Sequence, residues 1–378
     1  MRTRPIETIH GILPMSAAQT STFAIHPNPA PVAAEVRAGL LREPGFGRVF
    51  SDHMVTIRWT QDGGWQDAQL CARAPIPLDP AAAVLHYGQE IFEGLKAYRR
   101  DDGSIALFRP DQNARRFNAS AARMAMPALP EELFLGAIDE LVKADLAWVP
   151  GNDGSLYLRP FLFATEAFLG VRPSHECLFV LIASSVGSYF KGGVKPVTVW
   201  VSSDYTRAAP GGTGAAKCGG NYAASLIAQA EATEHGCDQV VFLDAVQQRF
   251  VEELGGMNVF FVHDDGSITT PPLTGSILPG ITRESLLILA ADLGFQVREE
   301  PYAIDQWRAD ARSGRLREAF ACGTAAVITP IGTVRSSTHE FVVGDGGTGE
   351  VTERLRTALV DIQRGRAEDP YGWVHRVI

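Results

Sequence analysis

The segment Lys191-Gly-Gly-Val-Lys-Pro196 constrains the fold of this chain more than any other. Two adjacent glycines and a proline interrupt helix and strand periodicity together near the midpoint. Strand-like and helical patterns recur on both sides of it, so 191–196 is expected to link two units. The first, residues 36–190, reads as a small α/β domain and the second, 197–378, as a larger one. A chain of 378 residues has room for two cores. Upstream, 55–59 and 61–65 read as strand and hairpin turn, and 96–98 and 105–108 flank Asp101-Asp-Gly-Ser104 as a second hairpin. Helical patterns cover about 111–124 and 131–146, and β patterns return at 157–164 and 178–183. Downstream, strands are expected at 197–202, 239–243, 249–253 and 259–262. Helices are expected at 222–235, 281–293 and 352–364, the first two stopped by Gly236 and Gly294. Residues 1–35, rich in Ser, Thr, Ala and Pro, read as an irregular arm.

A net charge of −9 argues against a general nucleic-acid or membrane-surface binder. The longest apolar run, 178–183, is too short to span a bilayer. Arg2 and Arg4 precede no continuous apolar stretch, so no signal peptide is expected, and Glu7 and the early prolines weaken a transit-peptide reading. Cys71, Cys177, Cys218, Cys237 and Cys322 form no CxxC pair and no zinc-type spacing. They read as reduced thiols of a cytoplasmic protein without a metal site.

Only five of the 34 basic residues are lysines: Lys96, Lys143, Lys191, Lys195 and Lys217. Base composition accounts for such a bias, yet lysine is the basic side chain that readily becomes a neutral amine nucleophile. Lys143 follows Asp139 at i,i+4 and reads as a solvated pair. Lys191 and Lys195 sit in the linker. Lys96, close to Arg99 and Arg100, is expected to be exposed. Lys217 differs, because it lies in Gly211-Gly-Thr-Gly-Ala-Ala-Lys-Cys-Gly-Gly-Asn-Tyr222, just before a helix. A P-loop needs Gly before the lysine and Ser or Thr after it, and Ala216 and Cys218 occupy those places. What remains is either a flexible glycine loop or a backbone that passes close to a flat ligand. Small uncharged neighbours would desolvate the Lys217 amine and lower its pKa.

A second constellation supplies complementary groups. Glu252 and Glu253 end a strand and, if it is regular, face opposite ways, so only one can enter a site. Leu278-Pro-Gly-Ile-Thr282 opens a helix whose free N–H groups suit an anion. Ala321-Cys-Gly-Thr-Ala325 is a small loop between two apolar runs. A nucleophilic lysine, a carboxylate and a phosphate cradle are the set that pyridoxal phosphate requires.

These residues resemble the fold-type IV pyridoxal-phosphate enzymes, and among them the branched-chain amino-acid aminotransferases. The resemblance rests on Glu253-x-Gly255-x-x-Asn258-Val-Phe260, Ile268-x-Thr270 and Leu278-x-Gly280-Ile281-x-Arg283. Further similar segments run from His86-Tyr-Gly-Gln-Glu-Ile-Phe-Glu-Gly94 to Asp361-Ile-Gln-Arg-Gly365. It implies a two-domain α+β fold with the cofactor at the interface. It also implies a ping-pong transfer of the amino group of Leu, Ile or Val to 2-oxoglutarate by a homodimer. On this resemblance Lys217 carries the cofactor and is the catalytic residue, Tyr222 partners the phenolic oxygen, and Glu253, rather than Glu252, partners the pyridinium. Arg116, with Arg115 as its neighbour and rival, holds phosphate together with Ile281, Thr282 and Thr324. Tyr87, Phe92, Tyr157, Arg159 and Tyr189 fall in the substrate pocket, and Ala325 lies on a loop that meets the substrate carboxylate. Two departures stand out. Gly256 replaces a Thr of some relatives, and Ala326 and Thr329 occupy the places of a redox CxxC pair, so thiol regulation is not expected. D-amino-acid aminotransferases and aminodeoxychorismate lyases share the fold but are generally shorter and lack the Gly-Gly-Asn-Tyr helix entry. A non-catalytic phosphate- or nucleotide-binding protein is the alternative from another class.

Overall fold

The computed structural model describes residues 22–151, 153–187 and 195–378. Tyr189 and linker residues 191–194 lie outside the described residues. Two mixed sheets organise the chain. The first runs Ala24–Ile25, Gly64–Ala72, Val49–Thr60, Glu176–Val186, Ser155–Ala164, Leu95–Arg99, Ile105–Phe108 and Val374–Arg376, with Glu90–Phe92 also on Ser155–Ala164. The second runs Val251–Leu254, Gln239–Leu243, Val197–Val201, Val327–Arg335, Leu316–Gly323, Asn258–His263, Ser267–Thr270 and Gln296–Glu299, with Glu340–Val342 on Val327–Arg335. The last strand, Val374–Arg376, pairs antiparallel with Ile105–Phe108 and so returns the chain to the first sheet.

Helices Pro110–Arg123 and Glu131–Ala144 cover one face of the first sheet. Their apolar stripes bring Phe117 and Phe134 against Phe179, with ring centroids 5.4–6.2 Å apart. In the second sheet both faces are covered, which explains apolar runs without alternation. Along Asn258–His263, Val259 and Phe261 pack with Tyr302 and Trp307 on one side. Phe260 and Val262 face the helices Ile281–Asp292 and Glu350–Arg364 on the other.

The helix expected at 222–235 starts earlier, at Gly219, and ends at Glu234, before Gly236 at φ +67°. Two lysines differ from expectation. Lys143 pairs with Glu140 at 3.7 Å rather than with Asp139, which bonds His375. Lys96 is buried, 9% exposed, where an exposed residue was expected. In a strand, Lys96 shares its face with Gly94 and Tyr98 rather than with Arg99, so adjacent arginines say nothing about its side of the sheet.

Candidate active site

The glycine loop before Lys217 is pinned at both ends. Asn221 Nδ2 donates to the carbonyls of Thr213 and Ala216, both at 2.8 Å, and its Oδ1 accepts from Thr213 Oγ1 at 2.7 Å. Gly214 passes so close to the Ser276 backbone that a Cβ there would collide with it. The Lys217 N–H donates to Ser120 Oγ at 2.9 Å, and its carbonyl accepts from the Phe92 N–H at 3.0 Å. Elements of the first sheet thus fix the backbone of a lysine that belongs to the second.

Lys217 Nζ projects into a cavity of about 200 Å³ between the sheets. It donates to Tyr222 Oη at 2.8 Å and lies 4.8 Å from the Phe92 ring centre. Burial, with Arg116 and Arg159 adding to it and Glu93 opposing, lowers its pKa to about 8. Burial pushes the Tyr222 phenol up to about 12, which keeps it protonated.

Glu253 is the acid of the pair that lines the cavity; Glu252 turns away and accepts from Ser276 Oγ. Glu253 Oε1 forms an ion pair with Arg207 Nη1 at 2.7 Å and accepts from the Leu278 N–H at 3.0 Å. Burial raises the Glu253 carboxyl while the Arg207 guanidinium pulls against it. Arg116 reaches the cavity from the helix Pro110–Arg123 and forms a fork with buried Glu93, at 2.7 and 2.9 Å. Its Nη1 donates to Pro279 O at 3.1 Å. Five N–H donors against three bonds leave two for a ligand. Arg115 points to the surface instead, 3.7 Å from Glu131.

The helix Ile281–Asp292 begins at the cavity wall, and among the described residues nothing accepts from the N–H groups of Ile281 or Thr282. Thr324 and Ala325 line the same wall. Opposite them stand Phe92, Tyr157 and Arg159. The Arg159 guanidinium lies 4.8 Å over Phe92 and 5.4 Å over Tyr157, and its buried Nε has no acceptor. Gly94 makes room for Tyr157, because a Cβ there would meet the phenolic oxygen.

The cavity therefore gathers Lys217, Tyr222, Glu253, Arg116, Ile281, Thr282, Thr324, Ala325, Phe92, Tyr157 and Arg159. It does not include Tyr87, which is exposed on the helix Ala83–Tyr87 and donates to the Leu169 carbonyl. Sequence reasoning missed Arg207, Glu93 and Phe46, and it read as exposed Lys96, whose buried Nζ donates to Ala325 O at the cavity wall at 2.7 Å. Phe46 packs edge-on against Tyr157 at 5.2 Å. None of these four carries a local sequence signal, since each acts on a partner distant in the chain.

Residues 90–334 match the amino-transferase class IV family. The chain belongs to this family. A probable branched-chain-amino-acid aminotransferase of Streptomyces coelicolor is 59% identical over 358 residues, covering 94% of this chain and 99% of that protein. The Escherichia coli branched-chain amino acid aminotransferase superposes with a TM-score of 0.72 at 30% identity, over 85% of this chain and 99% of that one. A further branched-chain amino acid aminotransferase, solved with pyridoxamine 5′-phosphate, gives 0.71 at 29%, over 85% and 98%. That same enzyme is known with N-(5′-phosphopyridoxyl)-L-glutamate and with 4-methylvaleric acid.

The cofactor of this class IV aminotransferase is pyridoxal phosphate, and the cavity fits it on its own chemistry. A buried amine of lowered pKa, a buried carboxylate at the far end, two spare guanidinium N–H groups and an unbonded helix start converge there.

Proposed function

We propose that this chain transfers the amino group of leucine, isoleucine or valine to 2-oxoglutarate in a ping-pong reaction, using the residues gathered in the cavity. One observation carries the substrate reading. The pocket wall is aromatic, yet Arg159 lies across it with a buried Nε that lacks an acceptor. Such a wall takes a branched aliphatic side chain, and the Arg159 guanidinium takes the second carboxylate of glutamate. The relatives' bound 4-methylvaleric acid and glutamate adduct support the same pairing.

When bound, pyridoxal phosphate supplies an aldehyde for the amino group and a ring that accepts the electron pair left at Cα. This chain's residues do the rest. Arg116, the Ile281 and Thr282 N–H groups and Thr324 would hold the phosphate. Glu253 would hold a proton at the ring nitrogen, and Tyr222 would bond the phenolic oxygen. Lys217 Nζ would take the Cα proton as a neutral base; its lowered pKa favours that form near neutrality. Ala325 and Thr324 would face the substrate carboxylate.

We further assign a homodimer in the cytoplasm. Five unpaired cysteines suit a reducing compartment. No helix among the described residues is long and apolar enough to cross a membrane. Exposed Leu85, Tyr87, Leu169 and Val171 supply an apolar surface for a second copy. A panel of amino donors with 2-oxoglutarate tests the reading. L-leucine, L-isoleucine and L-valine should turn over fastest, with Lys217→Ala inactive. Preference for D-alanine, or lyase activity on aminodeoxychorismate, would overturn it.

A further inference from the structure

We propose that Arg109 is a positioning residue for the cofactor's phosphate, locking the helix that carries Arg116 to the first turn of the helix that opens on the same seat. This inference rests on the phosphate seat of Arg116, Ile281 and Thr282 proposed above. Arg109 is the N-cap of the helix Pro110–Arg123, about two turns before Arg116. Its side chain makes no capping bond there. It crosses to the helix Ile281–Asp292 instead, where Nη1 donates to Ser285 Oγ at 2.9 Å and Nη2 to Glu284 Oε2 at 3.0 Å. Ser285 Oγ in turn donates to the Ile281 carbonyl at 2.9 Å. The relay Arg109–Ser285–Ile281 therefore ends on a residue of the seat itself. Arg116 touches the same region once, at Pro279 O. One contact sets a distance and leaves the helix free to turn about it, whereas the Arg109 fork fixes the orientation as well.

Two features of Arg109 are unfavourable by themselves. Its backbone sits at φ +50° and ψ +47°, in the left-handed region that residues with a Cβ rarely adopt. Its guanidinium is buried, with 7% of the side chain exposed. Such features persist only where surrounding contacts fix them. The C-terminal segment does so. Trp373 O accepts from the Arg109 N–H at 2.7 Å, and the Trp373 ring centre lies 5.2 Å from the guanidinium carbon. Tyr371, stacked on Trp373 at 4.0 Å, donates to Asp292 at the far end of the helix Ile281–Asp292. The last residues of the chain thus hold Arg109 at one end of that helix and Asp292 at the other.

The test titrates the full chain, stripped of cofactor, with pyridoxal phosphate and with pyridoxal, which lacks the phosphate. The visible absorbance of the bound ring reads both without turnover. Arg109→Met keeps an apolar stem over Trp373 and removes the fork, and Ser285→Ala removes only the relay. In Arg109→Met the Kd for pyridoxal phosphate should rise about tenfold, the worth of one charge-assisted hydrogen bond held out of place. Pyridoxal should bind as it does to wild type. Arg109→Lys, which retains a donor, should lose less, and so should Ser285→Ala. Arg116→Met, which removes a direct phosphate contact, should lose at least as much as Arg109→Met. An equal loss for pyridoxal would mean general loosening and overturns the inference. So does an unchanged Kd for pyridoxal phosphate in Arg109→Met while Arg116→Met loses affinity. If Arg109→Met does not fold, Ser285→Ala decides by the same two criteria. Unchanged affinity in Arg116→Met overturns the proposed phosphate seat instead.

Discussion

Arg207 and Glu253 form the buried ion pair on which the acid–base state of the site depends, with 2% and 3% of their side chains exposed. Removing the cation from such a pair leaves a buried charge without compensation, at a cost of about 3–5 kcal/mol. Arg207→Met should therefore lower the melting temperature and let Glu253 take up its own proton, weakening its hold on the ring nitrogen. The rate should fall by about two orders of magnitude. Adding Glu253→Gln should recover stability without recovering rate, and thermal unfolding with steady-state kinetics reads both. A wild-type rate in Arg207→Met would remove Arg207 from this role. Lys217 makes a second prediction, for cofactor-free protein. Its folded pKa of about 8 lies below the ordinary lysine value of 10.5, so between those pH values the unfolded chain binds the proton and the folded chain does not. Stability from this group therefore rises with pH across that window. Lys217→Met should flatten the rise relative to wild type in melts taken from about pH 7 to 10; parallel curves would contradict the shift. Lys217 was legible in sequence because glycines and small residues surround it locally. Arg207, Glu93 and Lys96 were not, because their burial comes from partners that only folding brings near.

At the level of elements, the helix Gly219–Glu234 begins with Cys218 at its N-cap, which makes no side-chain capping bond. Glu90, on a strand of the first sheet, accepts from the Gly219 N–H in its place. A carboxylate at a helix start satisfies an orphan donor and complements the dipole, an effect of about 1 kcal/mol. Glu90→Ala should cost about that much in thermal unfolding and speed hydrogen exchange at Gly219–Asn221; unchanged exchange would show that Glu90 does not cap the helix. Helices with a broad apolar stripe and a glycine stop were legible, as for Glu350–Arg364 before Gly365 at φ +74°. The helix Ile304–Ser313 was not, since its stripe is narrow: Ile304, Trp307 and Ala311 pack on the core, and only Trp307 of them is fully buried. Ala34–Leu40 buries nothing at all, so no apolar stripe marks its start against residues 1–35, whose Ser, Thr, Ala and Pro content reads as an irregular arm.

Across the whole molecule, the cavity draws its lining from both sheets, so neither half of the chain can build the site alone. One expected pocket residue nevertheless stays outside it. Tyr87 lies at the surface against Phe168, ring centroids 6.4 Å apart, and its hydroxyl bonds the Leu169 carbonyl. That bond fixes a loop whose Leu169 and Val171 are 69% and 88% exposed, beside Leu85 at 58%. Apolar side chains that cluster so openly are characteristic of an interface rather than of a solvated monomer surface. A second copy seated there would cover them and bring Tyr87 toward the neighbouring cavity. Sedimentation velocity should therefore give twice the 40.8 kDa chain mass. Leu169→Asp combined with Val171→Asp should dissociate the dimer, since two carboxylates buried without partners cost several kcal/mol. The dissociated variant should keep the visible absorbance of bound cofactor, because none of the residues that would hold it lies in that loop. Its KM for leucine should rise as the Tyr87 contribution is lost. A fully active monomer of wild-type sequence would overturn both the dimer and the expected place of Tyr87 in the pocket.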